Sequence, residues 1–224
     1  MRPPLDAIHD QAPVAGACSV ALVMLPGAGD GAQDLVDHGF VRAVRSRGLP
    51  VDTVVVNAGV DHYLDRTVVS RLDQDIIEPL RERKRARIWL MGISLGGMGA
   101  LSYACSHPAA VEGVVLLAPF LGSRGLIAEV TRAGGLQGWQ PGHISPEDSE
   151  RHLLAWLRQY RAEDSALPRI CLGYGTGDRY VAASALLAAQ LPARDVMKVE
   201  GGHDWATWLK LWEGWLDNGV PGAR

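Results

Sequence analysis

The chain has 224 residues, 47% hydrophobic and 21% charged, the balance of a globular protein with room for a sizeable core. Lys and Arg total 22 against 25 Asp and Glu, a formal charge of -3, which provides no footprint for nucleic acid or an anionic membrane. No run reaches the roughly 18 to 20 apolar residues that a membrane span needs, so no membrane span is expected.

The N-terminus opens with Pro3, Pro4 and early acids, which does not read as a secretory signal. Cys18, Cys105 and Cys171 are odd in number and sit within apolar segments, which suits reduced buried thiols. A cytoplasmic location is the expectation.

Taken in chain order, apolar runs of strand length fall at residues 19–27, 51–59, 87–94, 112–120, 169–178 and 195–202, each closed by glycine, proline or polar residues. Most are apolar on both faces and rich in Val, Leu and Ile, as parallel strands covered by helices must be. Helical patterns lie between them at 33–46, 67–83, 95–106, 182–190 and 205–216. In the second, Leu72, Ile76 and Leu80 stack on one face. The basic run 81–87 reads as the solvated end of that helix. The alternation predicts an α/β chain, a doubly wound, mostly parallel sheet of about six strands in a single domain, 1–224.

One connection breaks the rhythm. Residues 121–168 contain no strand pattern, but a glycine-rich stretch and a helix around 145–163. An insertion that follows a strand C-terminus is expected to form a lid or pocket wall, with some of Trp139, Leu153 and Trp156 facing the pocket.

Gly92-Ile93-Ser94-Leu95-Gly96 is a G-x-S-x-G pentapeptide at the point where a strand turns into a helix of small residues. The turn forces the serine into a strained conformation and crowds the positions two residues away, so side chains there would clash. In return the hydroxyl projects from the sheet edge beside the free N–H groups of a helix start.

A serine nucleophile needs a base, and the base an orienting acid. His9 lies in an irregular N-terminus, His107 ends a helix, His143 and His152 belong to the insertion, and His38 and His62 follow early strands. His203 closes the last strand behind Gly201 and Gly202, a loop able to carry an imidazole back over the sheet edge. Asp178 stands just past the end of the preceding strand, which gives the order nucleophile, acid, base. The loop Pro26-Gly27-Ala28-Gly29 ends the first strand, and the N–H groups of Ala28 and Leu95 are the candidate oxyanion donors. Neither G-x-G-x-x-G nor a P-loop lysine follows that strand, which argues against phosphate binding.

These residues resemble the α/β-hydrolase family across residues 19–218, through the elbow at Ser94, the strand-end Asp178, the glycine-preceded His203 and the loop at Gly27-Ala28. The sequence "GGHDW" before an aromatic helix is similar to the serine esterase branches. Pro26 stands where many members have histidine, and the opening strand hairpin is missing, so the resemblance implies a compact variant. It implies hydrolysis of carboxylic esters through an acyl-enzyme by Ser94, His203 and Asp178, with no metal or cofactor. Thioester hydrolysis and acyl transfer use the same residues, and a non-catalytic binding protein on this fold is the alternative of another class. The sequence does not specify an oligomeric state.

Overall fold

The computed structural model describes residues 4–12, 20–82 and 87–221. Its strands are β1 (Ala7–Asp10), β2 (Val20–Leu25), β3 (Val51–Val56), β4 (Arg87–Ile93), β5 (Gly113–Leu117), β6 (Arg169–Gly175) and β7 (Val196–Val199). They form one seven-stranded sheet in the order β1-β3-β2-β4-β5-β6-β7, parallel throughout except for β1, which runs antiparallel to β3 with Ala7 opposite Val56. The count exceeds the expected six because β1 is short and only half-buried along its length, so it carries no apolar run. His9 therefore belongs to an edge strand rather than an irregular segment.

Strand alternation divides the core into two layers. Val20, Leu22 and Met24 of β2 join Trp89, Met91 and Ile93 of β4 on one face, while Ala21, Val23 and Leu25 join Leu90, Val114 and Leu116 on the other. All six β2 residues are buried, and each large aliphatic side chain so placed contributes about 1.5–3 kcal/mol.

The helices in chain order are α1 (Ala32–Asp37), α2 (Phe40–Ser46), α3 (Val60–Leu64), α4 (Val68–Arg71), a π-helical turn (Leu72–Ile77), α5 (Glu78–Glu82), α6 (Leu95–Ser106), α7 (Arg124–Arg132), α8 (Ser149–Gln159), α9 (Val181–Ala188) and α10 (Trp205–Asp217). Helices α1, α2 and α10 cover the face carrying Met24, and α6 to α9 cover the other. The helix expected over 33–46 is two helices because Gly39 takes a left-handed φ of 89° between them, a conformation glycine adopts without strain. The helix expected over 67–83 contains the π turn, yet Leu72, Ile76 and Leu80 are all buried. That turn holds Asp73 and Asp75, which accept from the Tyr103 hydroxyl at 2.7 Å and the Leu5 N–H at 2.9 Å.

Residues 121–168 contain α7 as well as the expected α8. Of the basic run, residues 83–86 lie outside the described residues, while Arg87 begins β4 and pairs with Glu112 at 2.6 Å. Cys18 also lies outside them; Cys171 is buried and Cys105 half-buried. No helix among the described residues is long and apolar enough to cross a membrane.

Candidate active site

The C-terminal ends of β2, β4 and β5 lie side by side, with Leu25 paired to Gly92 and Ile93 to Leu117. Ser94 sits where β4 becomes α6, at φ 49° and ψ -111°, a conformation that costs a non-glycine residue on the order of 1–3 kcal/mol. Its backbone is tied down to compensate: Ser94 N–H donates to the Leu117 carbonyl at 3.0 Å, and the Ser94 carbonyl accepts from Phe120 N–H at 2.8 Å and Gly97 N–H at 3.0 Å. The flanking glycines are required sterically. A Cβ on Gly92 would lie 2.3 Å from the Gly96 carbonyl oxygen, and one on Gly96 would lie 2.3 Å from that of Leu25.

His203 Nε2 is 3.1 Å from Ser94 Oγ, and His203 Nδ1 is 2.8 Å from Asp178 Oδ2. The three residues thus form a continuous file of hydrogen bonds. Both ends of the imidazole are engaged, which fixes its plane. Its faces and edges are held too, by Tyr180 and Trp208 in edge-on contact with centroids 4.9 Å away in each case. Asp178 is 3% exposed and its second oxygen accepts from the Tyr180 N–H at 2.7 Å, so the buried carboxylate keeps a partner on each oxygen.

The loops bearing these side chains brace one another. Gly177 N–H donates to the Gly201 carbonyl at 2.9 Å. Gly201, at φ 147°, could carry no side chain, since a Cβ would meet Thr207 Oγ1 at 2.2 Å. The Thr207 hydroxyl accepts from Gly202 N–H and donates to Asp204 Oδ1. Asp204 is the N-cap of α10, and the Thr207 N–H, first among its donors, holds its carboxyl below the ordinary range. It makes no bond to His203.

A cavity of about 340 Å³ opens over Ser94, lined among others by Gly27, Ala28, Leu95 and His203. The N–H groups of Ala28 and Leu95 make no hydrogen bond among the described residues. Asp30, Phe120, Arg179, Tyr180 and Trp208 complete the lining, and sequence reasoning singled out none of them. Arg179 and Tyr180 directly follow Asp178, and Phe120 follows the end of β5, so adjacency to the strand ends was the available signal. Burial, with repulsion from Asp34 behind it, raises the Asp30 carboxyl above the ordinary aspartate range.

The remaining histidines lie apart from this file: His38 stacks on Trp205 at 4.0 Å, His62 bonds Thr67, His107 stacks on Tyr103 and His152 bonds the Ser145 carbonyl. Among the described residues no group of three or more His, Cys, Asp or Glu side chains converges as metal ligands do.

A second cavity, about 410 Å³, adjoins the first at Phe120, Arg179 and Tyr180. Its wall from the insertion is α7, not the residues expected. Trp139 and Leu153 are each 2% exposed and pack in the core beneath, and Trp156 packs on Tyr160. An apolar helix face gains more from the core than from a half-wet pocket, and α8 spends its face there.

The sheet order, the strand–serine–helix corner and the helices on both faces define the α/β-hydrolase fold, and the chain has that fold. A family model described as serine aminopeptidase, S33, matches residues 66–163, which include Ser94 but neither Asp178 nor His203. Comparison with curated proteins found no match. Among solved structures, the chain is similar to an S-formylglutathione hydrolase from Agrobacterium tumefaciens at a TM-score of 0.65 and 15% identity, covering 95% of this chain and 88% of that one. It is similar to the fluorophosphonate-binding serine hydrolase F of Staphylococcus aureus at 0.63 and 14%, covering 96% and 98%. Similarity to Est1E from Butyrivibrio proteoclasticus is 0.62 and 15%, covering 96% and 94%.

Proposed function

We propose that the chain is a serine hydrolase that cleaves carboxylic esters through an acyl-enzyme, with Ser94 as nucleophile, His203 as base and Asp178 as its orienting acid. The observation that carries this reading is the file of hydrogen bonds from Asp178 through His203 to the Ser94 hydroxyl, at the mouth of a cavity. His203 Nε2 takes the hydroxyl proton as Ser94 Oγ attacks the acyl carbon, and Asp178 stabilises the imidazolium that results. The N–H groups of Ala28 and Leu95 receive the oxyanion. His203 then protonates the departing alcohol; in deacylation it takes a proton from the water that attacks the acyl carbon and returns it to Ser94 Oγ as the acyl–Oγ bond breaks and the acid leaves. The scheme uses no metal or cofactor.

The test is the purified Ser94→Ala variant assayed beside the native chain on acyl esters of graded length, with fluorophosphonate labelling as a second readout. The expected loss in kcat is on the order of 10⁴ to 10⁶ with the fold retained. Retention of more than about a tenth of the rate, or labelling at another residue, would place the nucleophile elsewhere.

Thioester hydrolysis is the second reading, favoured by similarity to a structure named as an S-formylglutathione hydrolase. A coenzyme A thioester run beside an oxygen ester, with product analysis for acyl transfer, separates the possibilities. Residues 121–168 act in this proposal as a pocket wall within a single domain, and the protein works in the cytoplasm, which cell fractionation tests.

A further inference from the structure

We infer that the second cavity is a subsite for the remote end of the substrate, and that this end is an apolar segment terminated by a carboxylate. The inference rests on the ester-hydrolase reading and adds to it the class of ester.

The cavity floor is apolar, with Leu121, Ile127 and Ala183 facing it. Three arginines, Arg124, Arg132 and Arg179, are among its lining residues. Two of them share one ring: the guanidinium carbons of Arg179 and Arg124 lie 5.0 and 5.9 Å from the centroid of Tyr180. That ring lines both cavities and touches the His203 imidazole, so the cations stand at the passage to Ser94.

Like charges around one cavity repel, and folded surfaces ordinarily relieve this with an interleaved acid. Here the nearby acids are engaged elsewhere. Glu129 accepts from Arg151 and from Trp139 Nε1, and Glu150 accepts from the Ser123 N–H. Neither Arg124 nor Arg179 has a carboxylate partner among the described residues, whereas Arg132 donates to the Ala128 carbonyl and is attracted to the Glu129 carboxylate. An apolar cavity with cations at its lining, opening on a nucleophile, fits an ester whose far end is apolar and anionic. Guanidinium recognises carboxylate in a bidentate manner, and beside an apolar wall such a bond is stronger than in water.

The test compares two pairs of probes that differ only in the remote charge: 4-nitrophenyl hemisuberate with 4-nitrophenyl octanoate, and 8-acetoxyoctanoate with octyl acetate. The first pair carries the carboxylate on the acyl side and the second on the alcohol side. In at least one pair kcat/KM should favour the charged ester by about tenfold at low salt. The charged-to-neutral ratio should fall towards one in Arg124→Gln and Arg179→Gln, and also as salt is raised. Cleavage of the neutral esters with no charge preference in either pair, or a preference that survives both substitutions, overturns the subsite and leaves the hydrolase reading standing. Should no ester be cleaved, the hydrolase reading falls instead. Calorimetric titration of the intact chain with monomethyl suberate then decides the subsite, which requires binding that weakens about tenfold in Arg124→Gln.

Discussion

At Asp178 and Asp204, two aspartates near one histidine in the sequence or in space do different work. Asp178 bonds the imidazole, whereas Asp204 caps a helix. Asp178→Asn should therefore cut kcat by on the order of 10³ to 10⁴ by disturbing the imidazole tautomer, and Asp204→Asn, which keeps a capping oxygen, should leave the rate within a few-fold. Steady-state kinetics on both variants checks the order, and its reversal would move the acid. Asp30 supplies a different measurement. Its carboxyl is raised by burial and by Asp34, so the folded chain binds that proton more tightly than the unfolded chain does. Its ionisation therefore costs stability, a cost that appears as pH climbs through the ordinary aspartate range and is complete above the raised value. Asp30→Asn should melt higher than the native chain at pH 7, and the difference should vanish near pH 3. An unchanged or lower melting temperature at pH 7 would show that the carboxylate is satisfied in a way its burial does not reveal.

Among the elements, the strand–serine–helix corner was legible because it needs a local pattern with steric reasons. Gly96 illustrates the constraint: a methyl there would strike the β2 carbonyl of Leu25, whereas a methyl on Gly125, in the first turn of α7, would meet nothing within 4 Å. Gly96→Ala should destabilise the protein by about 1–3 kcal/mol in denaturant unfolding. Gly125→Ala should be neutral or stabilising by up to about 1 kcal/mol, and equal losses at the two sites would refute the packing argument. What was illegible follows from the same physics. β1 pairs at an edge and is half-buried, so four residues carry no run of apolar side chains. Helix α7 begins in Ser123-Arg124-Gly125 and buries only Leu126, Ile127 and Val130, a stripe too short to stand out among glycines. Trp139 and Leu153 looked like pocket residues because apolar side chains in an insertion have no assigned place until the core is built; tertiary packing claimed them. The lining residues Asp30, Arg179 and Tyr180 carry no pattern of their own, being set by where three strand ends converge.

The whole molecule is one sheet between two helical layers, and its thiols report on that construction. Burial pushes the Cys171 thiol up to about 12 and that of Cys105 up to about 11, so little thiolate exists in the folded state at neutral pH. Alkylation mapped by mass spectrometry should leave Cys171 unlabelled in native buffer and label it at a rate that follows global unfolding as denaturant is added. Rapid native labelling at Cys171 would mean that β6 opens independently of the rest. The hydrogen bond from Phe120 N–H to the Ser94 carbonyl has a further bearing on how such a molecule changes over time. It joins a residue that lines both cavities to the backbone of the proposed nucleophile, so an insertion or deletion at residues 118–120 disturbs the reacting atom along with the pocket. Helix α7 begins four residues later and makes no such bond. Ligand preference is therefore free to drift through α7 while the segment leaving β5 stays fixed, and a library aimed at new substrates belongs on residues 124–132.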